Sequence, residues 1–137
     1  MAQWLMKTEP EDYSWDRLVA EGGTGWDGVR NHQAANNMKA MRIGDRAFFY
    51  HSVNEKRIMG VVEVVKEYYP DPTDPKGRFG MVDFKALFPV KHNLTLAEIK
   101  ADGRLDDLAL IRQSRLSVMP IDARSWALMC DLCGVDP

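Results

Sequence analysis

The spacing of apolar and polar residues changes several times along this chain, and each change marks an element. Residues 3 to 7 alternate around Trp4 and Met6, which predicts a first strand ended by Thr8-Glu9-Pro10. Ser14 is placed to cap a short helix over Trp15 to Ala20, stopped by Gly22-Gly23. The glycines at 22, 23, 25 and 28 surround Trp26 and are too dense for a helix or strand interior, so Gly22 to Gly28 is expected to be loop. Asn31 to Met41 has no breaker and sets Ala34, Met38 and Met41 on one face, a second helix closed by Ile43-Gly44-Asp45.

Ala47 to His51 and Ile58 to Lys66 are rich in aromatic and β-branched residues and are joined by Val53-Asn54-Glu55-Lys56, so they are expected to pair antiparallel. Pro70 to Pro75 reads as loop and Gly80 to Phe88 as a further strand. Thr95 and Glu98 form a capping box that opens a short helix ending near Gly103. Arg115 to Met119 is expected to be the last strand, and Asp122 caps a helix running to about Cys133. Strands and helices mix without βαβ regularity, which predicts an α+β fold on a curved, mostly antiparallel sheet. A chain of 137 residues fits one domain, 1–137, and no internal repeat interrupts it.

Composition narrows the class. With 45% hydrophobic and 28% charged residues the chain is globular and not largely disordered. Its longest apolar stretches, Gly60 to Val65 and Ala47 to Tyr50, fall far short of the roughly 20 residues of a membrane span, so no membrane partner is expected. The N-terminal residues lack a basic leader and apolar core, which makes the cytoplasm or nucleoid the expected compartment. Cys130 and Cys133 have CxxC spacing but sit at the end of a predicted helix with no second ligand pair, so they are read as packing thiols. No metal and no cofactor is expected: neither a Walker loop, nor a dinucleotide fingerprint, nor a zinc-type histidine pair is present. The formal net charge of −2 argues against bulk coating of nucleic acid, although basic residues outnumber acidic ones between 30 and 57.

The most informative local feature is Gly25-Trp26-Asp27-Gly28-Val29-Arg30-Asn31, an indole held on a glycine-flanked segment ahead of a helix. Such a ring either stacks on a nucleobase, for roughly 1–3 kcal/mol, or folds back as a lid on the core. Arg30 and Asn31 stand at a helix start, where free N–H groups favour a phosphate; Arg30 alternatively pairs with Asp27. Lys7 and Glu9 project from a strand end and either read the edge of a base or form a surface ion pair. Ser52 offers a hydroxyl, while His51, its neighbour in a strand, points to the opposite face and is badly placed to serve as its base.

Trp4 to Pro10 and Trp26 to Met38 resemble the two N-terminal signatures of the EVE family. The series continues with Gly44-Asp45, Phe49-Tyr50-His51-Ser52, Gly60 to Val64, Val82-Asp83 and Arg115 to Val118, covering about residues 3 to 133. The resemblance implies a PUA-like pseudo-barrel of mostly antiparallel strands with flanking helices, similar to YTH readers. It further implies recognition of a modified base, a modified cytosine in DNA, swung out of the stack at a cost of a few kcal/mol that pocket contacts offset. On that resemblance Trp26 is a stacking wall, Ser52 a pocket hydrogen-bonder, Lys7 and Glu9 edge readers, and Arg30 with Asn31 a backbone or rim contact. Many relatives carry a Trp before Val82-Asp83, where this chain reads Arg78-Phe79-Gly80-Met81. Either Phe79 substitutes for it or the cage has a weaker wall. The expectation is thus a non-enzymatic, monomeric reader of modified DNA, with an RNA reader and, less favoured, a hydrolase or nuclease as alternatives.

Overall fold

The computed structural model describes residues Met1–Pro137. Six strands form one sheet: β1 (Gln3–Thr8), β2 (Gly23–Gly25), β3 (Arg46–His51), β4 (Arg57–Pro70), β5 (Gly80–Pro89) and β6 (Val118–Ile121), in the spatial order β2-β5-β4-β3-β1-β6. The helices are α1 (Trp15–Glu21), α2 (His32–Ala40), α3 (Leu96–Ala101), α4 (Ala109–Arg112) and α5 (Ala123–Cys133). All strand pairs are antiparallel except β1 with β3, whose connection through α1, β2 and α2 is long enough to return in the same direction. The register of β4 slips against β5 at several points, and such bulges increase twist and curl a sheet. The result is the expected α+β architecture on a curved, mostly antiparallel sheet.

The helix caps follow the sequence. Ser14 accepts the Arg17 N–H, Thr95 and Glu98 complete a reciprocal capping box, and Asp122 accepts the Ser125 N–H. One cluster of 34 buried residues forms the core. Trp126 of α5 stacks on Phe48 of β3 with ring centroids 4.1 Å apart, and the Trp4 indole donates to buried Asp45 at 3.1 Å, tying β1 to the turn before β3. Cys130 and Cys133 are free, fully buried in this cluster, and burial raises their thiol pKa values to about 11 and about 12.

Among the differences from expectation, three have a clear physical cause. Gly23–Gly25 is a strand, β2, not loop. The glycines permit the pairing: a Cβ on Gly23 would lie 2.6 Å from the Phe84 carbonyl oxygen, so only glycine lets the backbone approach β5 this closely. Strand β4 continues to Pro70, where Pro70 pairs with Gly80, so the proline-rich loop starts one residue later. The last strand spans Val118–Ile121 and not Arg115 to Met119, because Leu116 N–H turns back onto the Gln113 carbonyl and the edge strand β6 tolerates Pro120. No helix is long and apolar enough to cross a membrane.

Candidate nucleic-acid interface

A cleft of about 1150 Å³ opens where the C-terminal ends of β1 and β3 meet the β2 to α2 connection. Its lining brings together Lys7, Glu9, Trp26, Arg30 and Ser52, five of the seven residues expected at a site. Strand β1 supplies the first of these, and the last directly follows β3. Their parallel ladder continues past its end through Ser52 N–H donating to the Thr8 carbonyl at 2.8 Å, which sets Ser52 beside the Lys7-Thr8-Glu9 strand end. The Lys7 ammonium donates to the Ser114 carbonyl at 2.7 Å, and burial lowers its pKa from the ordinary lysine value. Glu9 is exposed, and its carbonyl accepts the Asp12 and Tyr13 N–H groups, so the chain turns there and leaves the carboxylate free.

Trp26 belongs to the core cluster and also lines the cleft. Its N–H donates to the Val82 carbonyl at 2.8 Å, and its ring meets Phe49 and Phe84 edge-to-face with centroids 5.7 and 5.9 Å away. Only 9% of the residue is exposed. Of the two readings of this ring, the packing is that of a side chain folded back on the core: the Trp26 segment follows β2 onto the sheet, and the residue also lines the cleft.

Arg30 reaches the rim, but its partner is not Asp27. Its guanidinium donates to Asp71 Oδ2 at 3.1 Å and to Thr73 Oγ1 at 3.0 Å. Asp71, only 3% exposed, also accepts the Gly28 N–H at 2.9 Å through Oδ2 and both Thr73 N–H and Thr73 Oγ1–H at 2.7 Å through Oδ1. Burial by itself raises the Asp71 carboxyl pKa, but the bonds from Thr73, Gly28 and Arg30 outweigh it and hold it at about 2. This carboxylate pins the Trp26 segment, with Gly28 at φ +78°, to the β4–β5 loop.

Asn31 and Phe79 do not line the cleft. The Asn31 side chain accepts the Ala34 N–H at 2.9 Å as the cap of α2, which occupies that side-chain oxygen and one of the N–H groups at the helix start. Phe79 is turned away because Asp74 gathers the N–H groups of Lys76, Arg78 and Phe79; its ring instead lies 5.0 Å from His32.

Sequence reasoning missed further lining residues, among them Tyr13, Arg17, Tyr50, Lys56, Lys100 and Arg115. Most come from distant segments that only the fold assembles, but Tyr50 lies two residues from Ser52 and its shared face was readable from strand alternation. The basic members Lys7, Arg17, Arg30, Lys56, Lys100 and Arg115 outnumber Glu9, Asp12, Glu21 and Asp27, against a chain of net negative charge. His51 is unavailable as a base for Ser52. It is 4% exposed, its Nε2 accepts the Trp15 N–H at 3.0 Å, and its Nδ1 faces Glu55 at 3.0 Å, an arrangement that assigns the proton to Nδ1.

The family model for the EVE domain matches residues 2–132. Thymocyte nuclear protein 1 of Danio rerio is 36% identical over 170 residues, covering 99% of this chain and 74% of the relative. A Rhodopseudomonas palustris protein solved by NMR is 53% identical with a TM-score of 0.92, covering 98% of this chain and 94% of that one. Human THYN1, solved in complex with DNA containing 5-methylcytosine, is 33% identical with a TM-score of 0.93 and full coverage of both chains. The order of signature segments read along the sequence and these matches agree, and the chain belongs to the EVE domain family.

Proposed function

We propose that this domain binds DNA and reads a modified cytosine that is swung out of the helix into the cleft, without catalysing a reaction on it. The observation that carries the reading is the cleft itself: an indole wall, two strand-end side chains and a hydroxyl converge on one concavity with an excess of basic residues at its edge. The human relative solved with 5-methylcytosine-containing DNA supports the choice of DNA and of that base. In this reading Trp26 supports one side of the base, Lys7 and Glu9 meet its hydrogen-bonding edge, Ser52 donates from the strand end, and Arg30 approaches the phosphate backbone from the rim. A methyl on cytosine is distinguishable in such a site because enclosure puts the added group against protein and not water.

Binding without turnover fits the chemistry of the cleft. His51, the residue next to Ser52, does not serve as its base, since it is committed to Trp15 and Glu55. The test is a titration of duplexes that differ only by one methyl group on one cytosine, with matched RNA strands alongside. The expected result is tighter binding of the methylated DNA; equal affinity for methylated and plain duplexes refutes modified-base reading, and preference for the RNA refutes the choice of DNA. Incubation with the same strands, with and without divalent metal, is expected to leave them intact.

A further inference from the structure

Tyr50 is 2% exposed, yet it lines the cleft. Its hydroxyl has no hydrogen-bond partner within the protein, while no fully buried polar side-chain atom in the molecule lacks one, so the hydroxyl is the part of Tyr50 that reaches the cleft. The ring is held by the core and the polar tip is left over. Such an arrangement leaves a buried side chain's one hydrogen bond to be made by something that enters.

The backbone explains the aim. Between Phe49 and Tyr50 the β3–β4 register slips, Phe49 facing Gly60 and Tyr50 facing Ile58, and irregularities of this kind redirect a side chain. On the other side Tyr50 is the register partner of Lys7 in the parallel β1–β3 ladder. Both residues line the cleft, as does Ser52, two positions later and just beyond the end of β3. Burial pushes the Tyr50 phenol up to about 12, so it keeps its proton at neutral pH, and the Lys7 ammonium has donors and no acceptor.

We propose that the Tyr50 hydroxyl is a specificity-determining donor that acts with Lys7 on the adjacent O2 and N3 acceptors of a cytosine-type base. The inference rests on the base-reading proposal above and deepens it. Cytosine presents acceptors at both atoms, whereas thymine and uracil carry a hydrogen on N3, which would face a donor. The pair thus selects the base, and the methyl is judged elsewhere in the cleft.

Tyr50→Phe tests this cleanly because it keeps the buried ring and removes only the unpartnered oxygen. The probes are three duplexes identical except at one position, which holds 5-methylcytosine, thymine or an abasic residue. The wild-type domain is expected to bind them in that order of preference for 5-methylcytosine over both others. The variant is expected to melt within about a degree of wild type, to lose roughly five- to tenfold in affinity for 5-methylcytosine, as for one hydrogen bond, and to bind the abasic duplex unchanged. Unchanged affinity for 5-methylcytosine, or an equal loss on the abasic duplex, overturns the Tyr50 assignment while leaving base reading intact. A wild-type domain that does not separate the 5-methylcytosine duplex from the abasic one overturns base reading, and the Tyr50 assignment with it.

Discussion

Asp71→Asn removes one charge from the junction that holds the Trp26 segment, and its cost follows from the hydrogen bonds. The carboxylate receives Thr73 N–H and Oγ1–H on Oδ1, and Gly28 N–H and Arg30 on Oδ2. An amide keeps one acceptor oxygen, so whichever way it turns, its NH2 group faces two donors. The carboxyl falls from an ordinary 3.8 to about 2 in the folded chain, which at about 1.4 kcal/mol per pH unit corresponds to about 2 kcal/mol of stability. The donors left facing the amide NH2 are the ones whose bonds lower that pKa, so the two costs overlap and are not summed. A loss of about 2 kcal/mol at pH 7 lowers the melting temperature of a domain this size by roughly 6–12 °C. The pH dependence has a fixed sign. Because the folded pKa lies below the unfolded one, the stabilisation is complete above about pH 4 and disappears as pH falls towards 2, so the wild-type and variant melting curves converge there. Thermal melts of both proteins from pH 7 to pH 2.5, with hydrogen exchange at the Gly28 amide, provide the assay. Melting temperatures within a degree at pH 7, or a gap that does not shrink in acid, refute the reasoning.

Trp26→Ala should lose both stability and binding, about 3–5 kcal/mol of the former in urea denaturation, because the ring packs on Phe49 and Phe84; a variant with wild-type stability would show that the core does not depend on it. Gly60→Ala places a methyl group inside the Trp15 ring system and is expected to cost about 1–3 kcal/mol by the same measurement, with no loss if α1 shifts freely. Cys130 and Cys133 should resist alkylation by iodoacetamide at pH 8 in the folded protein and react fully after denaturation; rapid labelling of the native state would contradict their placement in the core.

Much of the scaffold was legible because local rules and tertiary packing agree there. Ser14, Thr95 with Glu98, and Asp122 cap helices where the sequence puts them, and the aromatic run ending at His51 is a buried strand. The reading failed where tertiary contacts override local preference. Gly23 to Gly25 has the composition of a loop, yet the absence of side chains is what allows the chain to lie against β5. Pro120 marks a strand end by local rules, and only its place on an edge makes it tolerable. At the site, Lys7, Glu9, Trp26, Arg30 and Ser52 converge because strand ends and a glycine-flanked segment are local signals of projection into a cavity. Asp71 gave no such signal, since its partners Gly28 and Arg30 lie 43 and 41 residues away. Asn31 and Phe79 were displaced by nearby competitors, the Ala34 N–H and the Asp74 turn, that claim the side chain or the backbone first.

The claim that this cleft receives the modified base is tested most directly by a two-dimensional amide and indole NMR titration with a short duplex carrying one 5-methylcytosine, against the same duplex unmethylated. The account predicts that the methylated duplex shifts the resonances of Lys7 to Glu9, the Trp26 indole, Gly28 to Arg30 and Tyr50 to Ser52, with α5 unmoved, and that the plain duplex shifts them less. Identical spectra for the two duplexes, or shifts confined to residues outside the cleft, would contradict it.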